Sequence, residues 1–193
     1  FFVFVISSYV FFSRSFEGKS HTASKTLFKK DGVALLEING VIMDSKKALK
    51  SLKSFEENPA VKALVVRINS PGGAVAPSQE IYEAIKKFSR PKVASMSSVA
   101  ASGGYYIAVA TDQIYANPGT ITGSIGVIAE WVNYGNLLKW AQLRPEVFKS
   151  GEFKDVGSPT REITPKEAVS VVLMMNEVNK RVDKIARTDA SRK

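Results

Sequence analysis

The chain has 193 residues, of which 45% are hydrophobic, and this composition is typical of a globular protein with a core. It contains no cysteine, which excludes disulfides, thiolate metal sites and cysteine nucleophiles. The formal net charge is +9, but the lysines and arginines are spread along the chain without interleaved aromatic residues. We therefore predict no nucleic-acid partner, and we expect neither a metal nor another cofactor.

The first predicted element is an uncharged, apolar segment at residues 1–12, FFVFVISSYVFF. A membrane-spanning helix needs about 20 apolar residues, so this segment is too short to cross a membrane by itself. We predict that residues 1–13 are part of a transmembrane anchor and that residues 14–29 are a linker. The tail of a cleaved signal peptide and a buried strand are the alternatives.

The folded part begins near residue 30 and alternates strands with helices. Strands are predicted at 33–42, 62–69 and 92–97, and helices are predicted at 45–58 and 78–88. This alternation predicts an α/β domain of stacked βαβ units with a mostly parallel sheet, extending over residues 30–193.

Weaker signals follow in the second half of the chain. Short strands are predicted within QIYANPG (113–119) and SIGVIAE (124–130), then a helix at 133–143 and an extended segment at 145–151. Thr164, Pro165 and Glu167 form the pattern of a capping box with proline at the first helical position. The helix that they open has an apolar stripe suited to a core or an interface: Ala168, Val171, Val172, Met175, Val178, Val182 and Ile185.

Two turns that contain glycine pairs are candidates for an active site. NSPGG (69–73) and ASGG (101–104) each follow a strand and precede a helix, and the second turn contains Ser102. Ser102 is either a capping serine or a nucleophile at the start of a helix. N–H groups from two such turns are suited to hold the negative oxygen that develops during acyl transfer.

A nucleophilic serine requires a base. The single histidine, His21, lies in the predicted linker, which argues against a Ser-His-Asp triad. Lysine is the remaining common base, provided that its surroundings favour the neutral amine. The segment FKSGEFKDVGSPTRE (148–162) offers Lys149 and Lys154.

Four motifs in this order resemble the signal peptide peptidase A family: INSPGG, SSVAASGGYYIA, ANPGTITGSIGV and SGEFKDVGSPTRE. The resemblance covers residues 31 to 187 and implies a Clp-protease/crotonase-like fold. It implies a Ser–Lys dyad of Ser102 and Lys154, with Lys149 as the lesser candidate. It further implies oxyanion donors at the N–H groups of Gly73 and Gly103, and Ser124 as the residue that orients the lysine.

The resemblance also implies a membrane-anchored serine endopeptidase that degrades cleaved signal peptides. Its partners would be peptide substrates, the membrane and further copies of itself in a homo-oligomer. We expect location at the cell inner membrane with the catalytic domain on the extracytoplasmic side. Family members continue beyond the segment that matches residues 31 to 187, so we expect the peptidase domain to be truncated at its carboxyl end.

Three alternatives stay open. The chain could be another Ser–Lys peptidase of the same superfamily that cuts membrane proteins, a crotonase-like enzyme acting on thioesters, or an inactive peptide-binding domain. One residue also raises a difficulty, because the Asp155 carboxylate next to Lys154 would keep the lysine charged. If the segment is extended, adjacent side chains point to opposite faces, so Asp155 would face away from the dyad, toward Arg161.

Overall fold

A computed structural model of the chain describes residues 24–26 and 32–190. The chain divides into two compact units, one of residues up to 125 together with 184 onward and one of residues 126–183. The predicted anchor at 1–13 lies outside the described residues, as does most of the predicted linker. Within that linker, Ser24–Thr26 forms a short strand.

The described part of the first unit contains a sheet of six strands, three complete helices and the end of a fourth helix. The strands are β1 (Ser24–Thr26), β2 (Gly32–Asn39), β3 (Val61–Ser70), β4 (Lys92–Ala101), β5 (Gln113–Tyr115) and β6 (Ile121–Gly123). The helices are α1 (Lys46–Glu57), α2 (Val75–Lys87) and α3 (Gly103–Ala108).

The sheet confirms the predicted α/β class with mostly parallel strands. Its order is β1-β2-β3-β4-β5, and β6 pairs with the end of β4. Only the β1–β2 pair is antiparallel among the strand pairs of the described residues. Since β2, β3 and β4 follow one another across the sheet, right-handed crossovers place α1 and α2 on the same face.

The core lies between that face and the helices. Alternate residues of β2, β3 and β4 are buried, as expected for strands with one covered face: Ala34, Leu36, Ile38, Leu64, Val66, Ile68, Ala94 and Met96. On the helices, Tyr82 of α2 packs on Tyr106 of α3 with ring centroids 4.7 Å apart. This contact fixes the short helix α3 to the rest of the core.

Two strand predictions differ from the structure. Strand β4 continues to Ala101, beyond the predicted end at 97, so Ser102 follows it directly. The strand predicted at 124–130 is wrong, because the strand of this region is β6 and ends at Gly123. Gly123 and Ser124 have φ angles of 78° and 52°, which turn the backbone out of the extended conformation.

The second unit contains α4 (Gly135–Trp140) and the first part of α5 (Pro165–Ala190). Helix α4 is shorter than the predicted 133–143 because a Schellman motif ends it. In that motif the Leu143 N–H donates to the Leu138 carbonyl at 2.9 Å, and Gln142 adopts a φ of 58°. None of the helices in the described ranges is both long and apolar enough to span a membrane.

The predicted capping box at the start of α5 is confirmed. The Thr164 N–H donates to Glu167 Oε2 at 2.9 Å, and the Glu167 N–H donates to Thr164 Oγ1 at 3.3 Å. Pro165 is the first helical residue, where its missing N–H costs no hydrogen bond.

Candidate active site

Ser102 occupies the junction between β4 and α3 with a backbone conformation that is unusual for a residue with a side chain. Its φ is 51° and its ψ is −119°. Within the described ranges, the other non-glycine residues with positive φ are Ser124 and Gln142, and the Schellman motif explains Gln142. A residue held in such a region costs about 1–3 kcal/mol and persists only where its surroundings enforce it.

Main-chain contacts enforce the conformation of Ser102. Its N–H donates to the Gly123 carbonyl at 2.8 Å, and its carbonyl accepts the Tyr106 N–H at 2.9 Å. Ser102 occupies the N-cap position of α3, but its hydroxyl forms no capping hydrogen bond with the helix. The hydroxyl is therefore uncommitted at the start of the helix, as a nucleophile requires.

The turn that follows β3 packs directly against Ser102. A Cβ atom on Gly72 would lie 2.8 Å from the Ser102 Cβ and 2.7 Å from the Gly103 nitrogen. These separations are shorter than real Cβ contacts, and Gly72 also has a φ of 101°. Only glycine lets the two turns approach each other this closely.

Gly73 is fixed by the chain that follows β2. The Ile42 N–H donates to the Gly72 carbonyl at 2.9 Å, and the Ala74 N–H donates to the Ile42 carbonyl at 2.7 Å. Ile42 therefore pairs with the residues on either side of Gly73. Within the part of the chain that the structure describes, the N–H of Gly73 donates no hydrogen bond.

Among the described residues, the N–H of Gly103 also donates no hydrogen bond, because the first residues of a helix have no carbonyl one turn earlier. The structure thus places two unpaired N–H groups on two turns that touch beside Ser102. Such groups can stabilise an anionic oxygen, and the start of α3 adds the positive end of its peptide dipoles.

Two buried serines support these turns, and sequence reasoning missed both. Ser78 of α2 donates from its hydroxyl to the Ala74 carbonyl at 2.9 Å, and this hydroxyl lies 2.5 Å from where a Gly103 Cβ would be. The Ser70 hydroxyl accepts the Gly72 N–H at 3.1 Å. Ser78 shares the buried stripe of α2 with Ile81 and Ile85, and that spacing was the available signal.

Ser124 follows β6 directly and is exposed. The carbonyl of the preceding residue, Gly123, accepts the Ser102 N–H. Ser124 is therefore the next residue along the chain from one that is hydrogen-bonded to Ser102. The structure therefore brings together Ser102, Gly103, the turn of Gly73 and the start of the segment that Ser124 opens, all within the first unit.

Lys154 lies in the second unit, on a series of hydrogen-bonded turns over residues 152–157. The segment is not extended here, because the Val156 N–H donates to the Phe153 carbonyl at 3.3 Å and closes a turn. The Lys154 side chain is exposed, and no described side chain pairs with its amine. Ser102 belongs to the first unit and Lys154 to the second, and the Ser102–Lys154 dyad stays a prediction.

The Asp155 side chain pairs with two cations and not with Lys154. Lys149 Nζ lies 2.5 Å from Asp155 Oδ1, and Arg161 Nε lies 3.0 Å from Asp155 Oδ2. Hydrogen bonds from Arg161 first, and from Lys149 second, hold the pKa of Asp155 well below its usual range. The expected contact with Arg161 is present, although a turn and not an extended strand produces it.

Lys149, the lesser candidate for the base, has its amine occupied. Besides the Asp155 carboxylate, the amine donates to the Glu152 carbonyl at 3.1 Å. Of the two candidate lysines, Lys154 therefore has the amine that is available for chemistry. The described residues contain no cluster of acidic or histidine side chains suited to hold a metal ion.

Comparison with known proteins identifies the relatives of this chain. The family model of peptidase family S49 matches residues 84–190, more than half of the chain. The Clp protease model matches residues 17–120. With the observed parallel sheet, the second match confirms the predicted Clp-protease-like fold class.

Three curated relatives illustrate the similarity. A candidate protease of Synechocystis sp. is 47% identical over 70% of this chain and 50% of its own length. A candidate signal peptide peptidase of Enterococcus faecium is 34% identical over 80% of this chain and 51% of its own length. A chloroplastic serine protease of Arabidopsis thaliana is 35% identical over 69% of this chain and 20% of its own length. The chain spans about half the length of the first two relatives.

Proposed function

Because the chain belongs to peptidase family S49, we propose that it carries the catalytic machinery of a serine endopeptidase with Ser102 as nucleophile. The observation that carries the proposal is the conformation of Ser102, with its φ of 51° and uncommitted hydroxyl beside two unpaired N–H groups. A strained serine on a sharp strand-to-helix turn is also the arrangement that exposes the nucleophile in α/β-hydrolases.

We propose Lys154 as the base. Its neutral amine accepts the proton of the Ser102 hydroxyl while the Ser102 oxygen attacks the carbonyl carbon of the scissile peptide bond. The resulting ammonium returns this proton to the leaving amine as the carbon–nitrogen bond breaks. Water then attacks the acyl-enzyme with Lys154 again as base, and this releases the second product and regenerates Ser102.

The N–H groups of Gly73 and Gly103 are proposed to hold the oxyanion of both tetrahedral intermediates. Each donor of this kind contributes about 100- to 1000-fold to the turnover rate. Both turns are held by hydrogen bonds without a substrate. Ile42 and Ser78 bond to the turn of Gly73, and the Gly123 carbonyl accepts the N–H of Ser102. Ser124 is proposed to donate a hydrogen bond that orients the Lys154 amine.

For the natural substrates, we propose signal-peptide remnants left in a membrane. The support is the E. faecium relative, whose name is that of a signal peptide peptidase, together with the apolar segment at residues 1–12. In this proposal residues 1–13 anchor the protein in the cell inner membrane. The catalytic part then acts on the extracytoplasmic side, as a homo-oligomer.

Hydrolysis of a fluorogenic peptide by the purified protein tests the dyad. Ser102→Ala and Lys154→Ala are each expected to lower kcat at least 1000-fold, because each removes a group that acts on the reacting atoms. A serine-reactive phosphonate is expected to label the wild-type protein at Ser102 and to leave Ser102→Ala unlabelled.

Matched controls exist for both substitutions. Ser98 is exposed on β4 and Lys139 is exposed on α4, so Ser98→Ala and Lys139→Ala are expected to keep wild-type turnover. Near-wild-type turnover by Ser102→Ala or by Lys154→Ala would refute the dyad. A protein that binds peptides but neither cleaves them nor reacts with the phosphonate would instead be an inactive binding domain.

A further inference from the structure

We propose that Arg161 is a positioning residue for Lys154, because it holds the neighbouring Asp155 carboxylate away from the lysine amine. The inference rests on the proposed function, since it assigns Lys154 the role of the base. A base must be neutral to accept a proton, and a carboxylate close to a lysine favours the charged ammonium. Asp155 places such a carboxylate directly after Lys154. A neutral Lys154 therefore requires that other groups keep this carboxylate from pairing with the amine.

Both oxygens of Asp155 are occupied. Lys149 binds Oδ1 at 2.5 Å, and Arg161 binds Oδ2 at 3.0 Å through Nε. A second nitrogen of Arg161 donates to the main-chain carbonyl of Asp155 at 3.3 Å. Arg161 thus forms hydrogen bonds with both the side chain and the main chain of Asp155, the residue that follows Lys154.

Arg161 is itself held in place. Its two terminal nitrogens bind the two carboxylate oxygens of Glu167 at 2.9 Å and 2.5 Å, the fork geometry that fixes a guanidinium group in one plane. Glu167 is buried, and the Thr164 N–H at the start of α5 binds it at 2.9 Å. The helix start therefore anchors the arginine, and the arginine anchors the turn that carries Lys154.

The other carboxylates near this turn do not pair with Lys154 either. The Glu152 carboxylate is paired with Lys166 at 2.7 Å, and the side chain of Glu162 is exposed. Within the described part of this segment, each carboxylate that pairs does so with a cation other than Lys154. This separation of partners leaves the Lys154 amine without a counterion of its own.

The expected direction of the effect follows from the charges. Without Arg161, Asp155 Oδ2 is free to interact with Lys154, which stabilises the ammonium. A higher pH is then required to obtain the neutral base. The acidic limb of the pH profile of kcat/KM is therefore expected to move to higher pH.

The experiment compares these profiles for peptide hydrolysis. Arg161→Gln is expected to shift the acidic limb upward by about one pH unit, with about a tenfold loss of kcat/KM below the limb. Arg161→Lys, which keeps a cation, is expected to shift the limb less. The double variant Arg161→Gln/Asp155→Asn is expected to return the limb to the wild-type position, because the carboxylate is gone.

Lys149→Gln provides a second route if Arg161→Gln does not fold. It frees Oδ1 and leaves the Arg161–Glu167 pair intact, so a smaller shift in the same direction is expected. Arg181→Gln is the control, because Arg181 forms an exposed ion pair with Glu177 on α5, and its profile should match the wild type.

The outcomes distinguish a failure of this inference from a failure of the proposed Ser102–Lys154 dyad. If Lys154→Ala keeps its activity, the proposed function fails. If Lys154→Ala is inactive but Arg161→Gln loses activity equally at every pH, Arg161 has only a structural role and the inference is overturned. The inference is also overturned if the acidic limb stays shifted in the double variant. If Arg161→Gln does not fold, an unchanged acidic limb in Lys149→Gln overturns it.

Discussion

The N–H of Ser102 donates a 2.8 Å hydrogen bond to the carbonyl of Gly123, where β4 and β6 end side by side. The residue after Gly123 is Ser124, and its φ of 52° nearly equals the 51° of Ser102. Two serines in a conformation that favours glycine therefore stand at one end of one pair of strands. Ser102 was a candidate from its glycine turn, and Ser124 was a candidate because the family resemblance implies it.

The conformation of Ser102 leads to a prediction about stability. Ser102→Gly removes the steric cost of the left-handed backbone, about 1–3 kcal/mol, and adds a cost in unfolded-chain entropy of about 0.5–1 kcal/mol. We expect Ser102→Gly to be about 1 kcal/mol more stable than Ser102→Ala in urea unfolding, although both lack the nucleophile. The difference between the two variants would measure the cost that this backbone conformation imposes on a residue with a Cβ atom.

Ser98 provides the comparison for the same pair of substitutions in ordinary strand backbone. There glycine brings only its entropic cost, so Ser98→Gly should be about 0.5–1 kcal/mol less stable than Ser98→Ala. Equal or lower stability of Ser102→Gly relative to Ser102→Ala would show that the backbone of Ser102 is unstrained.

The close approach of Gly72 to Ser102 gives a second prediction. Gly72→Ala inserts a Cβ atom 2.8 Å from the Ser102 Cβ, and we expect a loss of about 2 kcal/mol of unfolding free energy. Peptide hydrolysis should fall at least 100-fold, since the inserted atom displaces Ser102 and the Gly103 N–H together.

Gly119→Ala is the matched substitution, because no atom lies within 4 Å of a Cβ built there. It should change stability by less than about 0.5 kcal/mol and leave hydrolysis unaffected. If Gly72→Ala behaves in the same way as Gly119→Ala, the contact between the two turns has no role in the site.

The third prediction concerns pH and stability. The Arg161 guanidinium first, and the Thr164 N–H second, lower the pKa of Glu167 from 4.5 to about 2. A carboxyl group whose pKa is lower in the folded state stabilises the fold above pH 4.5, and this contribution is lost as the pH falls from 4.5 toward 2. The urea midpoint of the wild type should therefore decrease between pH 5 and pH 3.

Glu167→Gln should reduce this decrease, because glutamine has no proton to take up. Glu162→Gln, at an exposed side chain, should retain the wild-type dependence. The same pH dependence in wild type and Glu167→Gln would contradict the assignment.

Local patterns predicted much of the fold. The apolar spacing of α1 and α2, the capping box of Thr164 and Glu167, and the glycine turns around β3 and β4 each depend on residues close in sequence. These signals were sufficient for the α/β class and for the position of Ser102 between a strand and a helix.

Features that depend on distant partners were not predictable. The apolar run at 124–130 has the composition of a strand, but the pairing of β6 with β4 ends the strand at Gly123. The contact of Gly72 with Ser102 joins residues 30 positions apart. Arg161 forms five hydrogen bonds, and those to Asp155 depend on how the turn at 152–157 folds back. No sequence periodicity predicts this turn.

The contacts that fix Ser102 have a consequence for evolutionary change. Among the described residues, its position depends on the Gly123 carbonyl, the Tyr106 N–H and the bare Cα of Gly72, all of them main-chain atoms. Substitutions that change only exposed side chains are therefore expected to leave the backbone conformation of Ser102 in place.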